Sequence, residues 1–316
     1  MPTPRVRTIL VGGHESADGA HLVRLEALLE DTRTARPGRQ FHNQVSEALS
    51  AGETVVVVPM TFGRNPTMIA DTAKTLRWLG SRHPHHLALA APFGTTDHLT
   101  AWVRTAANTV RAEQADAALV VVAPRSNPFD EAELHRIAYL AATHGAADEV
   151  FPAILDSDRA LAPVIDRLQR LGLTRSAIVP AGFASTATEA FGAGEYAGAR
   201  FAGPLMSDAA IARTVRTRVA DALTALAAGH DGIAAGLDAD HGHGYAHSHA
   251  FEESGHARPH SQAGHAHPHS HGGHAHAHAH SHSHSHGGEG DSTHTHADGT
   301  THDHDHDGLH AHVHAS

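Results

Sequence analysis

The 316-residue chain has no cysteine, which excludes disulfides, thiolate zinc sites and cysteine-ligated iron–sulfur clusters. It also has no apolar run approaching a membrane span. The opening residues, Met1-Pro-Thr-Pro-Arg-Val-Arg7, run straight into a strand without a signal-peptide core. The expectation is therefore a soluble cytoplasmic protein. Basic residues are nearly missing from the C-terminal segment. Beyond residue 229, Arg258 stands alone against eleven acids, a formal charge of −10, whereas the preceding body carries −1. The neutral body offers no basic stripe for nucleic acid, and the acidic segment would repel nucleic acid and anionic membranes while attracting cations. Large apolar residues are scarce there too, too few to offset chain entropy, so residues 229–316 are expected to be a disordered tail.

Histidine fills that tail. Twenty-six of the thirty-five histidines lie beyond residue 229. Most are spaced His-x-His, as in His265-Ala-His-Pro-His269 and the run His274, His276, His278, His280, His282, His284 and His286. Imidazole is largely neutral near pH 7, where its nitrogen can coordinate a metal. Side chains two apart on an extended segment point to the same side, so each pair can close on one ion. Many weak, interchangeable imidazole sites suit nickel, copper, zinc or cobalt better than magnesium or calcium. Metal storage or delivery is one reading; a solvated low-complexity tail that binds metal incidentally is the other.

The body alternates strands with helices. Thr8-Ile-Leu-Val11 is a buried-strand run ending in Gly12-Gly13-His14-Glu15-Ser16. Asp18 is placed to cap a helix carrying Leu22, Leu25, Leu28 and Leu29. Thr54-Val-Val-Val-Val58 is a strand, because β-branched residues crowd a helix and pack well on a pleated surface. It stops at Pro59 and leads into Met60-Thr-Phe-Gly63-Arg64-Asn65-Pro66, then a helix through Ile69, Ala73, Leu76 and Leu79. Leu87-Ala-Leu-Ala-Ala91 is the third strand. The order recurs with Ala118–Ala123, Ser176–Val179 ending at Pro180, and Phe201–Met206. Offsets of 111 from His14 to Arg125, 121 from Pro59 to Pro180 and 112 from Pro92 to Pro204 describe a diverged duplication. The expected fold is α/β: two duplicated, doubly wound lobes with parallel central sheets, residues 1–113 and 114–228, followed by the tail, 229–316. Facing lobes would form a cleft at the carboxyl ends of their strands, where open α/β sheets bind ligands.

His14 follows a buried strand and two glycines, a position that leaves its imidazole at the strand's carboxyl end. A structural histidine and a functional one both fit that place. Glu15 beside it reads as a helix-start acid or a proton acceptor, the former being favoured. The loop lacks the spacing of the dinucleotide fingerprint, the phosphate-binding loop and the nucleophile elbow. His83-Pro-His-His86 and Asp97-His98 read as solvated surface.

Taken in order, strand-Gly-His-x-Ser, a second strand ending in proline with a Gly-Arg-x loop, a third strand ending in Pro-Phe-Gly, and the repeat of this set resemble the class II, ATP-independent chelatases. Within them the sirohydrochlorin cobaltochelatase group of cobalamin biosynthesis is the nearest, and the similarity covers roughly residues 5 to 228. The resemblance implies insertion of a divalent metal into a tetrapyrrole, with cobalt first and iron or nickel as substitutes, and without ATP. It makes His14 the metal-holding and catalytic residue, and it puts Asn65 where the family usually has a second histidine. Arg125 takes the place of His14 in the second half. A flat ring with many carboxylates calls for arginines and backbone N–H groups at a cleft rim, which makes Gly63, Arg64, Asn65 and Arg125 the substrate-binding candidates. The partners implied are the ring and metal ions, and the duplication leads to the expectation of a monomer. Two other readings stay open: a non-catalytic nickel or cobalt storage protein on the same fold, and an unrelated α/β enzyme with a metal-rich tail.

Overall fold

A computed structural model describes residues 5–83, 85–143, 149–156 and 161–240, together with the backbone of 294–295 and 301–302. The elements run β1 (Val6–Gly12), β2 (Thr32–Ala35), α1 (Arg39–Ser50), β3 (Thr54–Met60), α2 (Pro66–Gly80), β4 (Leu87–Leu89) and α3 (Thr96–Glu113). The second half repeats them as β5 (Ala118–Pro124), α4 (Pro128–Thr143), β6 (Val150–Leu155), α5 (Ala162–Arg170), β7 (Ser176–Pro180), α6 (Ala187–Phe191), β8 (Ala199–Phe201) and α7 (Asp208–Ala227). A short α8 (Ile233–Leu237) follows. Two four-stranded sheets result, ordered β2-β1-β3-β4 and β6-β5-β7-β8, and every pairing within them is parallel. The duplicated α/β fold expected from the strand-then-proline pattern is present. The register confirms the correspondence, because Val11 lies opposite Pro59 as Val122 lies opposite Pro180.

Each sheet buries both faces because successive strand residues point to opposite sides. Val55 and Val57 pack outward on Phe41 and Val45 of α1 and on Ala73 and Leu76 of α2. Val56 and Val58 face inward, into a core that also holds Val121 and Val179 of the other sheet. The last helix of each half crosses over. Helix α3 packs on β5 and β7, and α7 packs on β3 and β4. This exchange joins the halves through one inner core rather than a surface contact, with Leu99, Val103, Ala107 and Val110 of α3 at helical spacing inside it.

Three features differ from the sequence reading. Residues Ala20–Ala27 form a 3-10 helix. Asp18 sits at φ 53 and does not cap it; Gly19 holds the N-cap position, without a side-chain cap. Leu22 and Leu25 are buried at the period of three this helix prefers, while Leu28, beyond its end, is exposed. Edge strands β2 and β6 complete each sheet. Finally, residues 231–237 belong to the folded body. The N–H of Leu89 donates to the Asp231 carbonyl at 2.7 Å, and Ile233 is buried against the outer core of the first sheet. A chain ending at residue 228 should therefore melt at a clearly lower temperature than one ending at residue 240, since burial of Ile233 alone is worth roughly 1.5–3 kcal/mol. Equal melting temperatures in a thermal scan would show that α8 adds nothing.

No helix among the described residues is long and apolar enough to cross a membrane. The tail histidines His274, His276, His278, His280, His282, His284 and His286 lie outside the described residues.

Candidate functional site

Strand β1 ends at Gly12, and a single 3-10 turn, His14–Ser16, carries the chain away from the sheet. Gly13 makes this possible, because a Cβ there would lie 2.2 Å from the Asn65 Nδ2. The turn places His14 against the second lobe. Its Nδ1 is 3.4 Å from Ser126 Oγ and 3.8 Å from Asp130 Oδ2. Its Nε2 is buried and has no hydrogen-bond partner. Burial, and then the nearby Arg64 cation, lower the His14 pKa to about 4. The imidazole is therefore neutral at pH 7, and its approach to Asp130 is not an ion pair at that pH. A neutral ring nitrogen with no partner is a ligand or a base; a protonated one would be neither.

Glu15 lies in the first turn of that 3-10 helix, as a helix-start acid would, but it is buried rather than solvated. It is 2% exposed, and its carboxyl accepts hydrogen bonds from the Thr61 hydroxyl and, at 3.2 Å, from the Phe62 N–H. Its own backbone carbonyl accepts from the Phe183 N–H at 2.9 Å, across to the second lobe. Burial pushes its pKa up to about 7, against the opposing pull of Arg64, Thr61 and Phe62.

The structure gives the four binding candidates from the sequence different places. Gly63 sits at φ +88, and a Cβ there would come 2.8 Å from the Thr96 N–H nitrogen; it lets the β3–α2 loop turn against the start of α3. Arg64 is not at a rim. It is 1% exposed, donating from Nη1 to the Ala181 carbonyl at 3.2 Å and from Nε to the Asp130 carbonyl at 3.4 Å. Its Nη2 is buried without a partner. Asn65 caps α2, accepting from the Met68 N–H at 3.2 Å. Arg125 is exposed and pairs with Asp156 at 3.1 Å. His14, Arg64 and Asn65 are thus brought together, and Arg125 lies outward of them. Ser126, Asn127 and Asp130 were missed by sequence reasoning, although Ser126 is the duplicate of Glu15 at the same offset as His14 to Arg125.

The carboxyl ends of the two sheets meet here in contact, not across the broad cleft the sequence leads one to expect. Phe62 and Phe183, counterparts three residues beyond Pro59 and Pro180, stack at 4.6 Å and 20°, with Phe93 and Trp102 packed edge-on to Phe62. A cavity of about 730 Å³ opens at the other end of the strands, lined by Val6, Leu29, Val215 and Leu223 among others, away from His14. Among the described residues no group of three or more His, Asp or Glu side chains is arranged to hold a metal ion.

The two buried titrating groups pull stability in opposite directions with pH. Folding raises the Glu15 pKa, so its contribution is full below pH 4.5 and lost as pH rises through about 7. Folding lowers the His14 pKa, so its contribution is full above pH 6.5 and lost as pH falls through about 4. Glu15→Gln removes the first and keeps the second. Relative to the unaltered chain, the variant should gain stability on the order of 3 kcal/mol between about pH 4.5 and 8. Parallel denaturant midpoints across that range would mean Glu15 is ionised in the folded chain.

No protein-family model matches the chain, and no curated protein matches it by sequence. Among solved structures, its fold is similar to SirB from Bacillus subtilis with Fe3+, at 15% identity over 72% of this chain and 99% of that one, TM-score 0.48. It is similar to the sirohydrochlorin chelatase SirB from Bacillus subtilis subspecies spizizenii in complex with cobalt, at 16% identity over 71% and 96%, TM-score 0.41. A periplasmic sugar-binding protein of an ABC sugar transporter from Legionella pneumophila is also similar, at 13% identity over 60% and 72%, TM-score 0.33. With identities this low and TM-scores below 0.5, a function for this chain has to rest on its own residues.

Proposed function

We propose that the chain inserts a divalent transition metal, cobalt first with iron or nickel as substitutes, into sirohydrochlorin or a related tetrapyrrole, without ATP. The observation that carries this reading is the neutral, partly exposed His14 imidazole at the end of β1, with a buried Nε2 that no protein group satisfies. The ordered strand-end motifs that resemble the class II chelatases agree with it, and the histidine-rich tail adds a reservoir of metal. On this reading the metal is a substrate, which suits a one-ligand site, because a fully ligated ion would not transfer.

The chemistry must remove water from the ion and two protons from the ring. His14 Nε2 holds the ion while ring nitrogens replace its waters one by one. Once the ion is seated in the ring, the released imidazole takes one pyrrole proton and water takes the other. Nε2 is buried, so ring binding has to open the site on the side of that nitrogen. One chain supplies both lobes, and the unit proposed is a monomer.

A second reading is favoured by Asn65. Where the resemblance calls for another histidine, this amide is committed to capping α2, and the chain would then be a nickel or cobalt store on the same fold. Ring absorbance separates the two. Purified chain mixed with sirohydrochlorin and cobalt should convert the free-ring spectrum to the metallated one, whereas a store would leave the ring free and withhold its metal.

A further inference from the structure

The second lobe has no histidine at the place of His14, yet two of its polar side chains, Ser126 and Asp130, approach His14 Nδ1. Ser126 Oγ stands 3.4 Å from Nδ1 and Asp130 Oδ2 stands 3.8 Å from it. A hydroxyl has one hydrogen to give. The Ser126 hydrogen is committed to Asp130 Oδ2 at 2.8 Å, the same oxygen that accepts from Asn127 Nδ2 at 2.8 Å. What Ser126 offers to the imidazole is a lone pair, and Asp130 Oδ2, already accepting twice, offers the same. Two acceptors facing one ring nitrogen require that nitrogen to bear the hydrogen. The other nitrogen, Nε2, then keeps its lone pair, and it is the nitrogen that is buried without a partner.

We propose that Ser126 and Asp130 of the second lobe are positioning residues that fix the Nδ1–H tautomer of His14 and hold its Nε2 lone pair toward an incoming metal ion. Resting on the insertion reading above, this assigns the two lobes different tasks: the first carries the ligand and the second orients it. The duplication gave both lobes a loop at this place, and in the second lobe Arg125 turned outward while Ser126 and Asp130 turned inward. The arrangement has the form of the outer partners that set tautomer and orientation at metal-ligating histidines elsewhere. Asp130 is held independently, 2% exposed at the start of α4, with its backbone carbonyl accepting from Arg64 Nε.

The test uses the full chain with ring-nitrogen-labelled histidine, metal-free, at neutral pH. Its His14 signals are those that vanish in His14→Ala. Long-range proton–nitrogen spectra should show Nδ1 as the protonated nitrogen. Ser126→Ala should move the signals toward the Nε2–H form and slow cobalt insertion by about 10- to 100-fold, lowering kcat more than it raises KM for the ring. Ser126→Thr, which keeps the hydroxyl, should restore both the spectrum and the rate. An Nε2–H signature in the unaltered chain would overturn the proposal. So would a Ser126→Ala spectrum identical to it in a folded protein. Because the tautomer is read without any turnover, a chain that shows Nδ1–H but never metallates the ring would remove the insertion reading while leaving the orientation of His14 established.

Discussion

His14→Ala should slow cobalt insertion by about 100-fold or more, the scale expected when a positioned acid–base group is lost. Ring affinity should change less, because the proposed step uses His14 to hold the ion and not the ring. Stability at neutral pH should change little. His14 is 16% exposed, and its Nε2 bonds to nothing in the protein, so its removal creates no new unsatisfied group on that side. The acid limb of the stability curve should flatten, because the chain no longer contains an imidazole that resists protonation down to about pH 4. An unchanged insertion rate in a folded His14→Ala chain would remove the mechanism and leave metal binding to the tail alone.

Truncation after Asp240 should abolish high-stoichiometry nickel or cobalt binding while leaving the body folded. Twenty-five of the thirty-five histidines lie beyond that residue, and the described body contains no cluster arranged to hold an ion. The cut belongs at 240 because an earlier one would take α8 away from Leu89 and Ala73. In the full chain, binding measured by equilibrium dialysis should collapse below about pH 6, where protonated imidazole cannot coordinate. Retention of most ions by the truncated chain would end the idea of a metal reservoir in the tail.

The central strands were legible because β3, β5 and β7 are dense in β-branched residues and their burial leaves few other accounts of such runs. The duplication was legible for a related reason: proline and phenylalanine punctuate β3 and β7 at one shared offset. The edge strands β2 and β6 were not. Thr32-Arg-Thr-Ala35 has three polar residues in four, and Val150–Leu155 contains Pro152; edges tolerate both, so neither gives the pattern of a buried strand. His14 could be singled out from its place after a strand and two glycines. Its environment could not, because Glu15 and Arg64 become buried only when residues from more than forty positions away close over them. An arginine in a Gly-Arg-Asn loop looks like a rim residue until Ala181 and Asp130 are known to face it. Likewise, Asn65 before Pro66 reads as a replaced ligand in one dimension and as a helix cap in three.

The most direct test is turnover by the full chain, with excess sirohydrochlorin and cobalt buffered at a fixed free concentration, followed by ring absorbance against a protein-free control. Insertion faster than the control, continuing until the metallated ring exceeds the protein several times over, is the predicted result. A rate equal to the control, with the chain folded and its tail loaded, would contradict the assignment of a chelatase and leave a metal store in its place.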